Sequence, residues 1–326
     1  MLTSTLNHST VKNIALVCLA DLIVGISYGA LAHSQGFDFW VPLTLSILVL
    51  AGASEFLFIG VIFSGGSPIS AALAGLLVNS RHIPFSFAVS ELAGKGPKAL
   101  LGYHIMNDES VVFGLSQETE KEKRAAFWLC GLGILICWPI GVLIGEGVGS
   151  FIQDTHTLGM DAMFPAIILA LSLPALKDKR LRLAAIVGAC DCRDRYSLFT
   201  SRDPRITGLI KLSYICERLI MMDNPWLILS GILLLAVGTY LMRSSGALLK
   251  GKIILSDNSK ALFSAAAIVI LFSVAMTSTV FEGDHFSDIP KIIGVCVAGL
   301  LTWYQKPFIV IVLSASVVTA LLRLIF

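Results

Sequence analysis

The chain has 326 residues, of which 56% are hydrophobic and only 14% are charged. A typical soluble domain carries roughly 25% charged residues, and a soluble core this apolar would leave large hydrophobic patches on its surface. A membrane protein needs the apolar excess, because its outer surface faces lipid. The net charge of +2 comes without a dense basic patch, so we predict the lipid bilayer as a partner and no nucleic acid.

The seven cysteines are scattered along the chain without the spacing of a metal site. Cys190 and Cys192 are too close together to supply the two halves of a zinc site. We therefore predict neither a metal nor a cofactor. The polar stretch from Met1 to Lys12 lacks a small-residue cleavage site, so we expect no cleaved signal peptide.

Apolar stretches of helix length recur along the chain and predict an all-α fold, a polytopic transmembrane helix bundle in two units. About seven stretches belong to the first unit and four to the second: 13–32, 40–63, 70–89, 99–115, 125–148, 163–176, 183–190, 226–242, 261–280, 289–303 and 308–326. The third and fourth stretches are interrupted by polar residues, so we predict broken helices near the polar clusters. Transporters build their binding sites from such interrupted helices.

Basic residues in short loops predict the orientation, because Lys and Arg are enriched on the cytoplasmic side. The loops around Lys121 and Lys177 are predicted to be cytoplasmic, and the acidic loop around Asp154 is predicted to lie outside. In the last third of the chain, Lys250 marks an inner loop and Asp284 an outer one.

Three polar clusters stand within the apolar sequence: GASEF at 52–56, NSRH at 79–82 and NDES at 107–110. A charged side chain at membrane depth costs about 2.5–3.5 kcal/mol on insertion scales. Such groups persist mainly where they face the interior of a bundle, a cavity or a transported solute. We therefore predict that the three clusters form the functional site.

The charged side chains of these clusters have a functional and a structural interpretation. Arg81 would bind a substrate carboxylate with its planar guanidinium, or it would form an interfacial anchor or an ion pair with Asp108. His82 would relay protons near neutral pH, or it would make a hydrogen bond between helices. Asp108 and Glu109 point about 100° apart on a helix, so we expect only one of them to line a given cavity and the other to cap a helix or meet water. Either one would bind the substrate ammonium or carry a coupling proton.

Ser54 and Glu55 follow two small residues that let helices approach closely in lipid. The alternative is a packing face from which Glu55 reaches the lipid headgroups. As substrate-binding residues we predict Ser54, Glu55, Asn79 and Arg81. As proton-coupling residues we predict Glu55, His82, Asp108 and Glu109.

Three polar residues of the eighth stretch, Thr239, Tyr240 and Arg243, fall near its predicted inner end. Because Tyr and Arg are enriched at membrane interfaces, we predict that these residues anchor the helix there.

A polar segment at 191–218 holds ten Asp, Glu, Lys and Arg residues and is predicted not to span the membrane. It divides the chain into a first transmembrane unit at 1–190, an aberrant polar linker at 191–220 and a four-helix unit at 221–326. One interpretation is a cytoplasmic linker. The other is a frameshift that fused two genes. The codons for 190–218, read one nucleotide later, permit an apolar segment followed by a stop at Leu219, just before Met221 and Met222.

The polar patterns also resemble a known pair of families. Residues 1–190 resemble the AzlC family, the large subunit of branched-chain amino acid exporters, in GASEF at 52–56, LVNSRH at 77–82, Asp108-Glu109 and FPA at 164–166. Residues 221–326 resemble the small AzlD subunit in GTYLMR at 238–243, KPF at 306–308 and TALLR at 319–323. The chain departs from the family pattern at Glu55, where glutamine is expected, and at Asn107, where threonine is expected.

The resemblance implies AzlC-like and AzlD-like halves that pack together and export valine-like amino acids across the cytoplasmic (inner) membrane, which the chain would cross several times. No Walker A motif is present, so a proton gradient is the natural driving force. The alternatives are a membrane-embedded hydrolase or metalloenzyme that uses His82 with Asp108 or Glu109, and a non-catalytic membrane scaffold. No Gly-x-Ser-x-Gly or His-Glu-x-x-His motif supports an enzyme, so we predict a transporter without a catalytic residue.

Overall fold

The structure is a computed structural model that describes residues 5–63, 65–151, 159–173, 176, 182–183, 185–187, 224–249, 257–282 and 285–325. The polar segment predicted at 191–218 lies outside the described residues, as does part of the stretch predicted at 183–190. The linker and the frameshift interpretations therefore stay predictions.

Helices make up most of the described chain. Those before residue 152 are α1 (His8–Ser34), α2 (Trp40–Leu48), α3 (Gly52–Phe63), α4 (Pro68–Asn79), α5 (His82–Val89), α6 (Pro97–His104), α7 (Asp108–Leu115) and α8 (Glu120–Phe151). Those after it are a 3-10 turn (Met160–Ala162), α9 (Met163–Ser172), α10 (Pro225–Leu248), α11 (Asp257–Val280), α12 (Ile289–Trp303) and α13 (Phe308–Ile325). Two short strands, β1 (Phe281–Glu282) and β2 (His285–Phe286), pair antiparallel between α11 and α12.

Three of the described helices are long and apolar enough to cross a membrane: His8–Ser34, Glu120–Ser150 and Pro225–Leu248. Large apolar side chains such as Leu16, Ile136 and Val237 are exposed on these helices, as expected for surfaces that face lipid. The prediction of an all-α membrane bundle is confirmed.

The structure divides into two compact units. The first combines Met1–Glu55, Asn79–Phe151 and Ile232–Ser264, and the second combines Phe56–Val78, Ile152–Gly231 and Ala265–Phe326. Each unit therefore combines an early segment of the chain with a late one. The domain boundaries predicted at residues 190 and 221 follow the order of the sequence rather than these units, and they stay predictions.

In the first unit, α1 packs along α8 at close range. A Cβ atom on Gly25 would lie 2.8 Å from the carbonyl oxygen of Trp138, and one on Gly29 would lie 3.0 Å from the amide nitrogen of Glu146. Small residues allow this close approach of two helix backbones, which is how membrane helices gain packing energy. Helices α2 and α7 also pack on α8, so α8 supports the region in which the polar clusters lie.

In the second unit, α9, α12 and α13 pack together. Arg323 near the end of α13 donates two hydrogen bonds to the carboxylate of Asp161, of 2.7 and 2.9 Å, and one of 2.5 Å to Asp288. Lys291 Nζ lies 3.7 Å from Asp161 Oδ2. Bidentate pairs of Arg and carboxylate are strong and directional, so this cluster ties the start of α9 to the last two helices.

Three of the predicted helical stretches are interrupted. Ser80 and Arg81 separate α4 from α5, and 105–107 separate α6 from α7, which confirms the two predicted interruptions. The stretch at 40–63 was predicted to be continuous, but 49–51 separate α2 from α3. Leu50 has a φ of 50°, which lies in the left-handed region that favours glycine, so the break is a distinct change of backbone direction.

Candidate functional site

Each of the three polar clusters lies at one of the three helix breaks. Glu55 is in the first turn of α3, Asn79 is the last residue of α4, and Asn107 caps the start of α7. Asn107 Oδ1 accepts a hydrogen bond of 2.8 Å from the Ser110 amide, and Ser110 Oγ accepts one of 3.0 Å from the Asn107 amide. This reciprocal capping box explains why a new helix begins here.

Arg81, His82 and Asp108 lie together where α5 and α7 begin. Arg81 Nη1 lies 2.8 Å from Asp108 Oδ2, and His82 Nε2 lies 3.7 Å from Asp108 Oδ1. The His82 side chain is buried, whereas the side chains of Arg81 and Asp108 are 25% and 34% exposed. The predicted ion pair of Arg81 with Asp108 is therefore present, and it leaves both groups partly accessible.

Glu109, the neighbour of Asp108, is half-buried beside the same group. Its carboxylate interacts electrostatically with Asp108 and Arg81. A further interaction links it to Asp21 on α1. The site therefore brings acidic groups of α1 and α7 near one another.

Glu55 is completely buried, so it does not reach the lipid headgroups as one interpretation of the sequence required. Its Oε1 accepts a hydrogen bond of 2.8 Å from the amide of Ala51, and its Oε2 accepts one of 3.0 Å from Trp138 Nε1. The Trp138 ring stacks on Tyr28, with ring centroids 5.7 Å apart. Both carboxylate oxygens of Glu55 are therefore held in a fixed position at the amino end of α3.

Asn79 joins three helices. Its Nδ2 donates hydrogen bonds of 2.9 Å to Ser54 Oγ on α3 and of 2.8 Å to Thr239 Oγ1 on α10. All three side chains are buried. The structure thus brings together two predicted site residues, Ser54 and Asn79, and adds a third from the last part of the chain.

Arg243 of α10 is the principal residue that the sequence interpretation missed. It was predicted to anchor the helix at the membrane interface, but its side chain is only 1% exposed. It donates hydrogen bonds to the carbonyl oxygens of Val49 (2.9 Å), Leu50 (2.7 Å) and His104 (2.8 Å). Thr239 lies one helical turn earlier, and this four-residue spacing within an apolar helix is the signal that would have placed both residues on one buried face.

Several buried polar atoms at the breaks have no hydrogen-bond partner among the described residues. They are Asn79 Oδ1, Arg81 Nε, His82 Nδ1, Asn107 Nδ2, Asp108 Oδ1 and Arg243 Nε. Buried polar groups are normally satisfied, and each exception requires an explanation, such as a bound molecule or a functional role. The set contains both donors and acceptors, so it can bind a molecule that carries both kinds of group.

The fold and the site define an all-α membrane protein whose interrupted helices surround buried polar side chains. The chain belongs to the AzlC family: it matches the family described as AzlC protein over residues 16–152, and it matches the branched-chain amino acid transport protein (AzlD) family over residues 228–323. Both resemblances found in the sequence are confirmed. No solved structure matches the chain.

Similar proteins occur in bacteria and archaea. The branched-chain amino acid transport protein AzlC of Bacillus subtilis (strain 168) is 25% identical over 170 residues, which are 51% of this chain and 66% of the relative. An uncharacterized membrane protein of Helicobacter pylori (strain ATCC 700392 / 26695) is 31% identical over 49% of this chain and 72% of the relative. An uncharacterized membrane protein of Archaeoglobus fulgidus is 30% identical over 53% of this chain and 77% of the relative. The two family descriptions and the name of the Bacillus relative support a membrane transporter.

Proposed function

We propose that this chain is a secondary transporter that exports branched-chain, valine-like amino acids across the cytoplasmic membrane and couples their movement to protons. One observation carries the proposal: buried donors and acceptors without partners collect at the helix breaks, beside the Arg81–Asp108 ion pair. The AzlD family description names branched-chain amino acid transport, and so does the name of the Bacillus relative, which supports this substrate class.

The chemistry of the unpartnered atoms matches the two ends of a free amino acid. Arg81 Nε and Asn107 Nδ2 are donors that would serve the substrate carboxylate. Asn79 Oδ1 and Asp108 Oδ1 are acceptors that would serve its ammonium. Ser54 would act by orienting Asn79, because its hydroxyl oxygen accepts a hydrogen bond from the Asn79 amide.

Four titratable side chains are proposed to carry the coupling proton: Glu55, His82, Asp108 and Glu109. His82 Nε2 lies 3.7 Å from Asp108 Oδ1, and Glu109 interacts with Asp108 electrostatically, so these three side chains form one group of neighbouring charges. Glu55 lies apart from solvent and already accepts two hydrogen bonds. Its arrangement favours a coupling role over direct contact with the substrate, although the sequence suggested both.

The protein is proposed to cross the cytoplasmic membrane several times, with an AzlC-like half at 1–190, an aberrant polar linker at 191–220 and an AzlD-like four-helix half at 221–326. The contacts of Asn79 with Thr239 and of Asp161 with Arg323 support halves that pack together, because each joins a residue of the first half to one of the second. Genomic DNA tests the frameshift interpretation: without an open frame one nucleotide later across 190–218, that interpretation is wrong.

A reconstitution experiment tests the proposed function. Purified full-length chain is inserted into liposomes that are loaded with radiolabelled valine, and a pH gradient is applied. We expect valine to leave faster than from protein-free liposomes, and we expect an ionophore that collapses the gradient to remove the difference. Unlabelled leucine and isoleucine should compete, whereas lysine and glutamate should not.

Equal release with and without inserted protein would remove the transport proposal and return attention to the enzyme and scaffold alternatives. Among the described residues, no group of three or more His, Cys, Asp and Glu side chains is arranged to hold a metal ion. Release that is accelerated by the protein but indifferent to the ionophore would retain transport and remove proton coupling.

A further inference from the structure

We propose that Arg243 is a built-in cation of the transport site: a positioning residue of the AzlD half that occupies a carbonyl cage formed by the AzlC half. The cage consists of the carbonyl oxygens of Val49, Leu50 and His104, each 2.7 to 2.9 Å from a guanidinium nitrogen of Arg243. The proposal that Arg243 positions these three carbonyls depends only on the observed hydrogen bonds. Its consequence for export rests on the proposed function.

The three carbonyls belong to the ends of two interrupted helices. Val49 and Leu50 follow α2, and His104 is the last residue of α6. The last carbonyls of a helix have no partner within the helix, and they carry the negative end of the helix dipole. A buried cation at this point satisfies the carbonyls and is favoured by both dipoles.

The cage fits a planar, multidentate cation. Arg243 Nη1 donates to both Val49 and His104, and Nη2 donates to Leu50, so one guanidinium bridges α2 and α6. Lysine has a compact charge and would not reach three separated acceptors with the same geometry. Leu50 has a left-handed backbone, and the hydrogen bond from Arg243 helps to hold that conformation in place.

Among the described residues, the Arg243 guanidinium donates no hydrogen bond to a carboxylate. Its charge is balanced over a longer distance by acidic side chains of the same unit. Electrostatic interactions link Arg243 to Asp108 and to Glu55. Asp108 belongs to the proposed substrate-binding group, and Glu55 lies at the amino end of α3, across the same break. Arg243 therefore sets the position and the charge balance of the site through its two terminal nitrogens, while its Nε has no hydrogen-bond partner among the described residues.

In secondary transporters, unwound carbonyls of interrupted helices coordinate a mobile ion such as Na⁺. Here a side chain fills the equivalent cage. Removing it leaves three carbonyls without this donor, and a small soluble cation that fits the cage can replace it. The wild-type protein is therefore expected to export without added Na⁺, whereas a variant with an empty cage is expected to depend on an added cation.

The experiment compares Arg243→Ala, Arg243→Lys and the wild type, each as full-length chain, by thermal unfolding in detergent and by valine efflux from liposomes. The control is Arg124→Ala, because Arg124 also donates to a backbone carbonyl, that of Glu91 at 2.9 Å, but is exposed. We expect Arg243→Ala to lower the unfolding temperature and to slow efflux by roughly tenfold or more, since it leaves buried acceptors unsatisfied. Millimolar guanidinium should reverse both losses in this variant alone. The unfolding temperature and the efflux rate of Arg243→Lys should lie between those of Arg243→Ala and the wild type.

Two results would overturn the proposal: Arg243→Ala that equals the wild type in both measurements, or a folded Arg243→Ala protein whose losses guanidinium does not reverse. If Arg243→Ala does not insert, Arg243→Lys decides, because full stability and efflux in that variant contradict the need for a multidentate cation. The unfolding measurement separates this proposal from the proposed function. If the wild type does not move valine, the transport proposal fails, while the reversal of unfolding by guanidinium still tests the cage.

Discussion

The indole nitrogen of Trp138 donates a hydrogen bond of 3.0 Å to the carboxylate of Glu55, which joins the long helix α8 to the break between α2 and α3. The amide of Ala51 donates a second bond of 2.8 Å to the other carboxylate oxygen. Both donors are N–H groups, which cannot accept, so both oxygens of Glu55 must act as acceptors in this arrangement. The position thus suits a carboxylate better than the glutamine that the family pattern predicts.

Glu55→Gln is expected to retain substrate binding and to lose the dependence of efflux on the pH gradient, because the amide cannot carry the proton. It is also expected to unfold at a lower temperature. Glutamine offers one oxygen, so its NH₂ group faces one of the two buried donors, at a cost of about 1–3 kcal/mol. Efflux at several pH gradients and unfolding in detergent check the two parts.

A Glu55→Gln variant that exports normally with full pH dependence would remove Glu55 from coupling. A higher unfolding temperature would show that the cost of burying the charge exceeds the value of the two hydrogen bonds. The matched control is Glu120→Gln, at an exposed position at the start of α8, which should change neither property.

Trp138→Phe is expected to lower the thermal stability and to alter the pH dependence of efflux, because it removes one donor from Glu55 while keeping an aromatic ring against Tyr28. Trp128→Phe on the same helix is the matched control. Trp128 Nε1 donates to the carbonyl of Leu92 at 3.0 Å and does not contact Glu55. The control should lose stability to a similar extent and keep the wild-type pH profile. Identical pH profiles for the two variants would contradict a functional link between Trp138 and Glu55.

The broken helices could be predicted only where their polar residues are visible in the sequence. The breaks at 80–81 and 105–107 were predicted because charged and amide side chains interrupt apolar stretches there. The break at 49–51 was not, because Val49, Leu50 and Ala51 are all apolar. Its carbonyls are bound by Arg243, 194 residues after Val49, and no local pattern reports a partner that distant.

The same limit applies to the partners of the site residues. Ser54, Asn79, Arg81 and Asp108 were identified because polar groups at membrane depth are costly. The contact of Asn79 with Thr239 and that of Glu55 with Trp138 depend on how helices from distant parts of the chain pack, which hydrophobic periodicity does not determine. The environment of Arg243 was also ambiguous in the sequence. An arginine near the end of an apolar helix gives the same pattern whether its side chain lies at the membrane interface or in the protein interior.

Thr239→Val is expected to destabilise the protein by about 1–3 kcal/mol and to slow efflux, since it removes a buried acceptor from Asn79 without changing the shape of the side chain. Thr302→Val on α12 is the matched control. Thr302 is buried too, but its hydroxyl only donates to the carbonyl of Ala298 in its own helix, at 2.8 Å. Unfolding in detergent and valine efflux measure the two effects. Equal behaviour of both variants would show that the bond between Asn79 and Thr239 has no special role.

Gly25→Ala is expected to destabilise the contact between α1 and α8, because its Cβ would lie 2.8 Å from the carbonyl oxygen of Trp138. Overpacking of this kind typically costs about 1–3 kcal/mol. Gly147→Ala on α8 is the control, since a Cβ at that position meets nothing within 4 Å. The control should unfold at or slightly above the wild-type temperature, because alanine favours a helix over glycine. A Gly25→Ala protein as stable as the control would contradict close backbone packing of the two helices.

Arg81→Ala is expected to abolish export and to leave stability almost unchanged. Its ion pair with Asp108 is partly exposed, at 25% and 34%, and such pairs contribute only about 0–1 kcal/mol. The loss would therefore reflect a missing contact with the substrate carboxylate. Efflux at matched protein levels is compared with Arg124→Ala, which should export normally, and with Asp108→Asn, which should impair binding of the ammonium. If Arg81 served only to hold Asp108, then adding Arg81→Ala to Asp108→Asn would reduce efflux no further. Unchanged valine efflux from the single variant would exclude Arg81 from the site.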